Sequence, residues 1–168
     1  MMIAILVLQI LAGPNVHIHA TTQDPGFLGF KLGMPARAAL HAARKNPYAL
    51  DHVKSHGGQR VLSDTVAITD CNLAFRRSLG FDDHGKLTAV GFMYKTTPER
   101  VDSARACAYR WLKHIYGTPT DERMRADTKQ EVWNFGNARI TLESKGYNPR
   151  DYFVLIYYYE ASMEKQDE

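Results

Sequence analysis

The chain has 168 residues, 21 Lys and Arg against 18 Asp and Glu, and two cysteines. That length buries an ordinary hydrophobic core without help from a metal and argues for one domain. A net charge of +3, with the basic residues spread along the chain, lacks the concentrated basic stripe that nucleic-acid binding needs.

Met2 to Ala12 is an apolar run of 11 residues, too short to span a bilayer. With Ile18-His19-Ala20 as a small-residue cleavage site, residues 1–20 read as a secretory signal. No Lys or Arg precedes the run, which departs from the usual signal pattern and leaves a buried first strand as the other reading. On the signal reading the mature domain is 21–168 and is periplasmic or secreted. No cysteine lies near the cleavage site, which argues against a lipid anchor.

Thr21 to Gly26 is a polar lead-in, and Phe27 to Leu32 a short strand candidate. Gly33-Met34-Pro35 then turns into a helix whose Ala36, Ala39, Leu40 and Ala43 share one face at i, i+3, i+4 and i+7. Asn46-Pro47 stops it. Asp51–Ser55 and Arg60–Val66 flank His56-Gly57-Gly58 as a hairpin. Cys71–Leu79 and Leu87–Tyr94 form a second one around Asp82-Asp83-His84-Gly85, where Gly85 can supply a positive φ.

The segment from Thr96 to Pro119 carries the strongest helix signals. Thr96 and Glu99 have capping-box spacing, and Thr97-Pro98 is a competing start. Val101, Ala104, Ala108, Trp111, Leu112 and Ile115 make one buried stripe, and Gly117 with Pro119 ends it. Thr118–Thr128 is polar and charged, a surface connection. Glu131–Phe135, Ala138–Glu143 and Tyr152–Glu160 then form a three-stranded meander, its first turn Gly136-Asn137 in the type II′ arrangement. The last strand is apolar on both faces, which places it centrally in its sheet. The tail from Ala161 is polar.

The expected fold is α+β, an antiparallel β-sheet with two main helices on one face; helix followed by strands occurs twice, which suggests two helix-plus-meander halves. Cys71 and Cys107 are an even pair, and in an oxidising compartment they invite a disulfide. It would close a loop of 35 intervening residues, worth roughly 4 kcal/mol in the chain-entropy account. Free structural thiols are the alternative.

Leu32-Gly33-Met34-Pro35 opening a helix resembles the LGM(S/T) helix start of small bacterial envelope proteins. Tyr116-Gly117-Thr118-Pro119 closing a helix, with Trp133 and Ile140-Thr141-Leu142 on strands, completes a pattern similar to the helix-plus-meander modules of β-lactamase-inhibitor-protein-like and outer-membrane-assembly small lipoprotein families. The match covers about half the chain in short motifs, and the lipobox cysteine is missing. The resemblance implies a non-catalytic protein that binds other proteins through a sheet surface or loops.

Candidate chemistry is sparse. His52 and His56 are four apart, a spacing that suits a metal on a helix, but they fall on a strand and a Gly turn. His84 sits in a hairpin turn, and the Asp82-Asp83 run lacks the spaced oxygens of a calcium loop. His114 sits in the last turn of the second helix, where a cation suits the dipole. No G-x-S-x-G, Walker, H-E-x-x-H or paired C-x-x-C motif is present, so no catalytic, metal or cofactor residue is named. Arg76 and Arg77 fall on opposite faces of a strand and read as solvated. The better lead is aromatic. Trp133 and Phe135 share a face of one strand, Tyr157 and Tyr159 a face of another, with Arg139 and Arg150 nearby; exposed, they would make a protein-binding surface, and buried, they would fill the core. The functional expectation is an exported, non-catalytic binding protein of inhibitor or immunity type whose partner is another protein. A module for a small ligand or lipid, or for envelope assembly, is the alternative, and a small hydrolase is third.

Overall fold

A computed structural model describes residues 24–45, 52–56, 59–68, 72–125 and 128–162. The expected signal segment, Cys71, and the stop at Asn46-Pro47 lie outside them. The elements are α1 (Ala36–Lys45), β1 (His52–His56), β2 (Gln59–Ile68), β3 (Leu73–Phe81), β4 (Leu87–Thr96), α2 (Pro98–Tyr116), β5 (Asp121–Arg125), β6 (Thr128–Phe135), β7 (Ala138–Gly146) and β8 (Tyr152–Glu160). All eight strands join one antiparallel sheet in the order β1-β2-β3-β4-β8-β7-β6-β5. The α+β expectation therefore holds, as does a central place for the last strand. Each half is a helix followed by a four-stranded meander, and the halves meet at their final strands, β4 and β8. That order is what a two-fold axis normal to the sheet at this seam would produce.

One face of the sheet is covered. Along β3, Phe75, Arg77, Leu79 and Phe81 are buried while Arg76 and Ala74 are exposed. The registers Leu79↔Val90, Val90↔Tyr158, Ile140↔Tyr158 and Trp133↔Ile140 carry the same face across to β6. α2 lies across β4, β7 and β8 and buries Val101, Ala104, Ala108, Trp111 and Leu112. α1 buries Ala39 and Ala43 in the same core. Its start is tied to the β3–β4 turn, where Ala36 N–H donates to Gly85 O at 2.8 Å and Leu87 N–H to Met34 O at 2.9 Å. Gly85 has φ +70°, the conformation its place in the turn demanded.

Several expectations are corrected. Phe27–Leu32 is not a strand: Phe27 and Phe30 exchange backbone hydrogen bonds of 2.8 and 3.0 Å across Leu28-Gly29, both at positive φ, so the segment folds on itself as a tight turn. Its product is a plug. Phe27 is fully buried between the rings of Tyr116 and Tyr158, with centroids 5.7 Å away on each side, and meets Phe92 and Trp111 edge-on. Asp24 fastens it by accepting from the Tyr158 hydroxyl at 2.5 Å.

α2 starts at Pro98 with Thr97 at the cap. Thr96 is instead the buried end of β4, so the Thr96/Glu99 box does not form, and it is Thr97 that bonds Glu99 and holds its carboxyl below the usual range. Ile115 is 44% exposed because the inward stripe continues from Leu112 through Tyr116, one turn on, to Phe27. Gly117 has φ +79° but an extended ψ of −164°, so the helix ends without the left-handed cap. The polar stretch after it contains β5, an edge strand whose charged residues disguise it. Arg77 is not solvated: it is wholly buried, its guanidinium 5.0 Å from the centre of the Phe30 ring, and the register sets Asp64 opposite it.

Candidate recognition surface

Strand alternation divides the expected binding residues between the two sheet faces. Trp133 and Phe135 fall on the covered face. Trp133 is 1% exposed, and its indole N–H donates to Gly117 O at 2.9 Å, which satisfies the one polar group the ring carries and locks the end of α2 to β6. Phe135 is half-buried against Tyr116 at 5.9 Å. These two belong to the core. Arg139, Tyr157 and Tyr159 lie together on the opposite face, which carries neither helix. Arg150 is exposed in the β7–β8 connection.

The centre of the bare face is Tyr157, 38% exposed. Its ring packs beside Gly91 of β4, where a Cβ would stand at ordinary contact distance, 3.5 Å, from two of its carbons and closer, 2.9 Å, to Ser78 Oγ. Along β8 the same face carries Phe153 and Tyr159, both half-buried, and Leu155, which is buried at 3% exposure. Tyr147, 62% exposed, meets Phe153 edge-on at 5.1 Å, and the Lys145 ammonium sits 5.2 Å from the Tyr147 ring centre, a cation–π contact. Met93 of β4 is opposite Leu155. The result is an apolar and aromatic band along β8 that is open to solvent chiefly at Tyr157 and at the neighbouring Tyr147.

Charged groups border this band. On β7, Arg139 is opposite Tyr159 and Glu143 opposite Leu155. Arg139 Nε donates to Asn134 Oδ1 at 2.9 Å, which fixes the guanidinium beside the aromatic ring. Lys95 of β4 pairs with Asp151 at 2.6 Å, and this bond with that from Asn148 holds the Asp151 carboxyl below its usual range. Arg123 of β5 pairs with Asp121 at 2.6 Å. Burial, with a smaller push from Glu143, raises the Tyr157 hydroxyl above its ordinary pKa, so the ring stays neutral throughout the physiological range. Arg76, Lys95, Arg123, Arg139 and Lys145 outnumber Glu143, Asp121 and Asp151 along this face, so its border is net positive.

The pairing of Tyr157 with Tyr159 that alternation predicts needed Tyr147, Phe153 and Met93 to become a surface. The signal was present in the last strand: its odd-numbered residues are all large and apolar, and only one face of a sheet was to be covered. Cys107 is disulfide-bonded and no described cysteine is a free thiol; the chain's one other cysteine is Cys71. Among the described residues no cluster of three or more His, Cys, Asp and Glu is placed to hold a metal, and no helix is long and apolar enough to cross a membrane. His84 sits in the β3–β4 turn, where Asp82 Oδ1 accepts from the His84 and Lys86 backbone N–H groups, and His114 is exposed on α2.

Family models, characterised proteins and solved structures were each compared with the chain, and none matches.

Proposed function

We propose that this is an exported, non-catalytic recognition protein of inhibitor or immunity type, which docks another protein onto the bare face of its sheet. The observation that carries the reading is the band along β8. Large apolar groups line a face without helices, an exposed Tyr stands at its middle, and Arg139 borders it. Tyr and Arg are the residues enriched where protein interfaces concentrate their binding energy. A rigid central strand suits this use, because the rings lose little freedom when they are covered.

The net positive border sets the partner's chemistry: an apolar protrusion flanked by Asp or Glu. Complementary charge of this kind chiefly speeds encounter and rejects wrong partners, while the rings supply the affinity. Export accords with the apolar leader over residues 1–20 and with a bonded Cys107, since disulfides persist in oxidising compartments.

The test is capture from envelope extract on immobilised chain, followed by titration of the captured protein. Stoichiometric binding that Tyr157→Ala weakens by about 30-fold or more, a hot-spot loss of about 2 kcal/mol, is the expected result. Binding that survives Tyr157→Ala and Arg139→Ala unchanged would rule out the bare face as the docking site.

A further inference from the structure

The helix-bearing side holds a different feature. A groove of about 610 Å³ runs between α1 and the turn before it, lined by Leu28, Gly29, Met34, Ala38, Ala42, His41 and Lys45. That volume falls in the roughly 300–1,000 Å³ range of small-molecule sites. Ala38, His41, Ala42 and Lys45 follow one face of α1 at i, i+3, i+4 and i+7. The two alanines leave room for a ligand against the helix backbone, Leu28 and Met34 supply an apolar wall, and His41 and Lys45 stand at the edge.

The charge around it is one-sided. Residues 25–50 contain Lys31, Arg37, Arg44 and Lys45 and not one Asp or Glu. Among the described residues, Arg37, Arg44 and Lys45 form no ion pair, which is also true of the exposed Lys86, Arg100 and Arg110, so what sets this segment apart is that it contains no acid at all. The helix dipole accounts for Arg44 and Lys45 in the last turn; it does not account for Arg37, for a whole helix without an acid, or for the apolar hollow beside them.

We propose that this groove binds one molecule of an anionic single-chain amphiphile, a fatty acid or an alkyl phosphate. The tail lies between Ala38, Ala42, Leu28 and Met34. The carboxylate or phosphate meets Lys45 and His41 at the mouth. An uncharged apolar ligand would leave the cations unanswered, and a small free anion would leave the hollow unfilled.

The experiment is isothermal titration of the full chain with sodium laurate and with dodecyl phosphate, each below its critical micelle concentration. One-to-one binding is expected with both heads. Each methylene removed from a buried tail weakens it about fourfold, the equivalent of about 0.8 kcal/mol per CH₂. Lys45→Glu weakens both ligands about tenfold, and Ala38→Trp, which fills the groove from an exposed helix position, abolishes binding with the melting temperature unchanged. Tyr157→Ala leaves laurate binding intact, which separates this site from the bare sheet face. The proposal is overturned if neither amphiphile binds up to about a millimolar (the weak end of the affinity scale), if both variants bind like the parent, or if dodecyltrimethylammonium or inorganic phosphate binds equally well. Affinity for phosphatidylglycerol vesicles without affinity for the monomers would make the feature a membrane-docking face and overturn it too.

Discussion

Phe27→Ala is the sharpest probe of how the chain is assembled, because one side chain joins the segment before α1 to both halves of the core. Phe27 is fully buried among four rings: Tyr116 and Tyr158 stacked at 5.7 Å, Phe92 at 5.2 Å and Trp111 at 6.3 Å, both edge-on. Truncating a buried Phe costs about 3–5 kcal/mol, and each aromatic pair adds about 0.5–1.5 kcal/mol beyond area burial. The void cannot close easily, since its walls are a helix and two central strands. Undocking of the turn sets the upper limit, because the rest of the sheet can survive without it. A loss of about 4 kcal/mol follows, which lowers the melting temperature by roughly 8–16 °C for a chain of this size. Thermal and urea unfolding followed by circular dichroism measure it, with Tyr147→Ala as the exposed control. A shift below about 3 °C, less than roughly 1.5 kcal/mol at this size, would refute the docking of this segment. Because Leu28 and Gly29 also wall the groove, the same variant loses laurate affinity.

Tyr158→Phe removes the hydroxyl that donates to Asp24 and accepts from Leu32 N–H; a bond to a charged acceptor is worth about 1.5–3 kcal/mol, readable in the same unfolding curves. Burial pushes the Tyr116 hydroxyl up to about 12 and raises Tyr158 further. Since the unfolded tyrosines release their protons near pH 10 and the folded ones do not, stability is intact below pH 10 and falls as pH rises toward 12; Tyr116→Phe flattens that alkaline decline, and a decline identical in parent and variant would contradict it. Glu131 is buried and paired with Arg105 of α2. Arg105→Ala leaves the carboxylate only its 3.6 Å contact with Lys129 and costs about 1–3 kcal/mol, under a fully buried pair because that second cation remains and Arg105 is partly exposed, whereas Glu131→Leu with Arg105→Leu together costs much less; a double-mutant cycle in urea decides. If the Cys71–Cys107 disulfide expected from the sequence forms, thiol titration of the denatured, unreduced chain finds no free thiol and its mass is that of one chain; two reactive thiols, or a disulfide-linked dimer, would contradict that pairing.

Much of the architecture was readable because it rests on periodicity. The 3.6-residue stripe through Trp111 and Leu112, and the turns at Gly85 and Gly136, are local signals, and local chemistry formed them as it stood. Where the reading failed, tertiary contacts decided. Phe27 and Phe30 have strand composition, but two positive-φ residues between them and an aromatic pocket waiting for Phe27 made a plug. Asp121–Arg125 looks like a loop because an edge strand is kept soluble by charge. Thr96 gave up its cap to end β4. The candidate surface was half legible. Alternation paired Tyr157 with Tyr159 and Trp133 with Phe135, but which pair the helices would cover depends on how β6 and β8 sit relative to α2, and no spacing encodes that. Arg77 shows the same limit: Arg76 and Arg77 are indistinguishable in the sequence until one face is known to be buried.

The most direct measurement is site-specific photocrosslinking. A benzophenone amino acid is placed at Tyr147, exposed at the edge of the bare face beside Phe153, or at Ile115, exposed on α2 on the other layer, and each chain is irradiated in envelope extract. Docking on the bare face predicts a single covalent adduct of defined mass from position 147, competed away by unlabelled parent chain, and none from 115. Equal adducts from both positions, or an adduct from 115 alone, would contradict recognition through the bare sheet face.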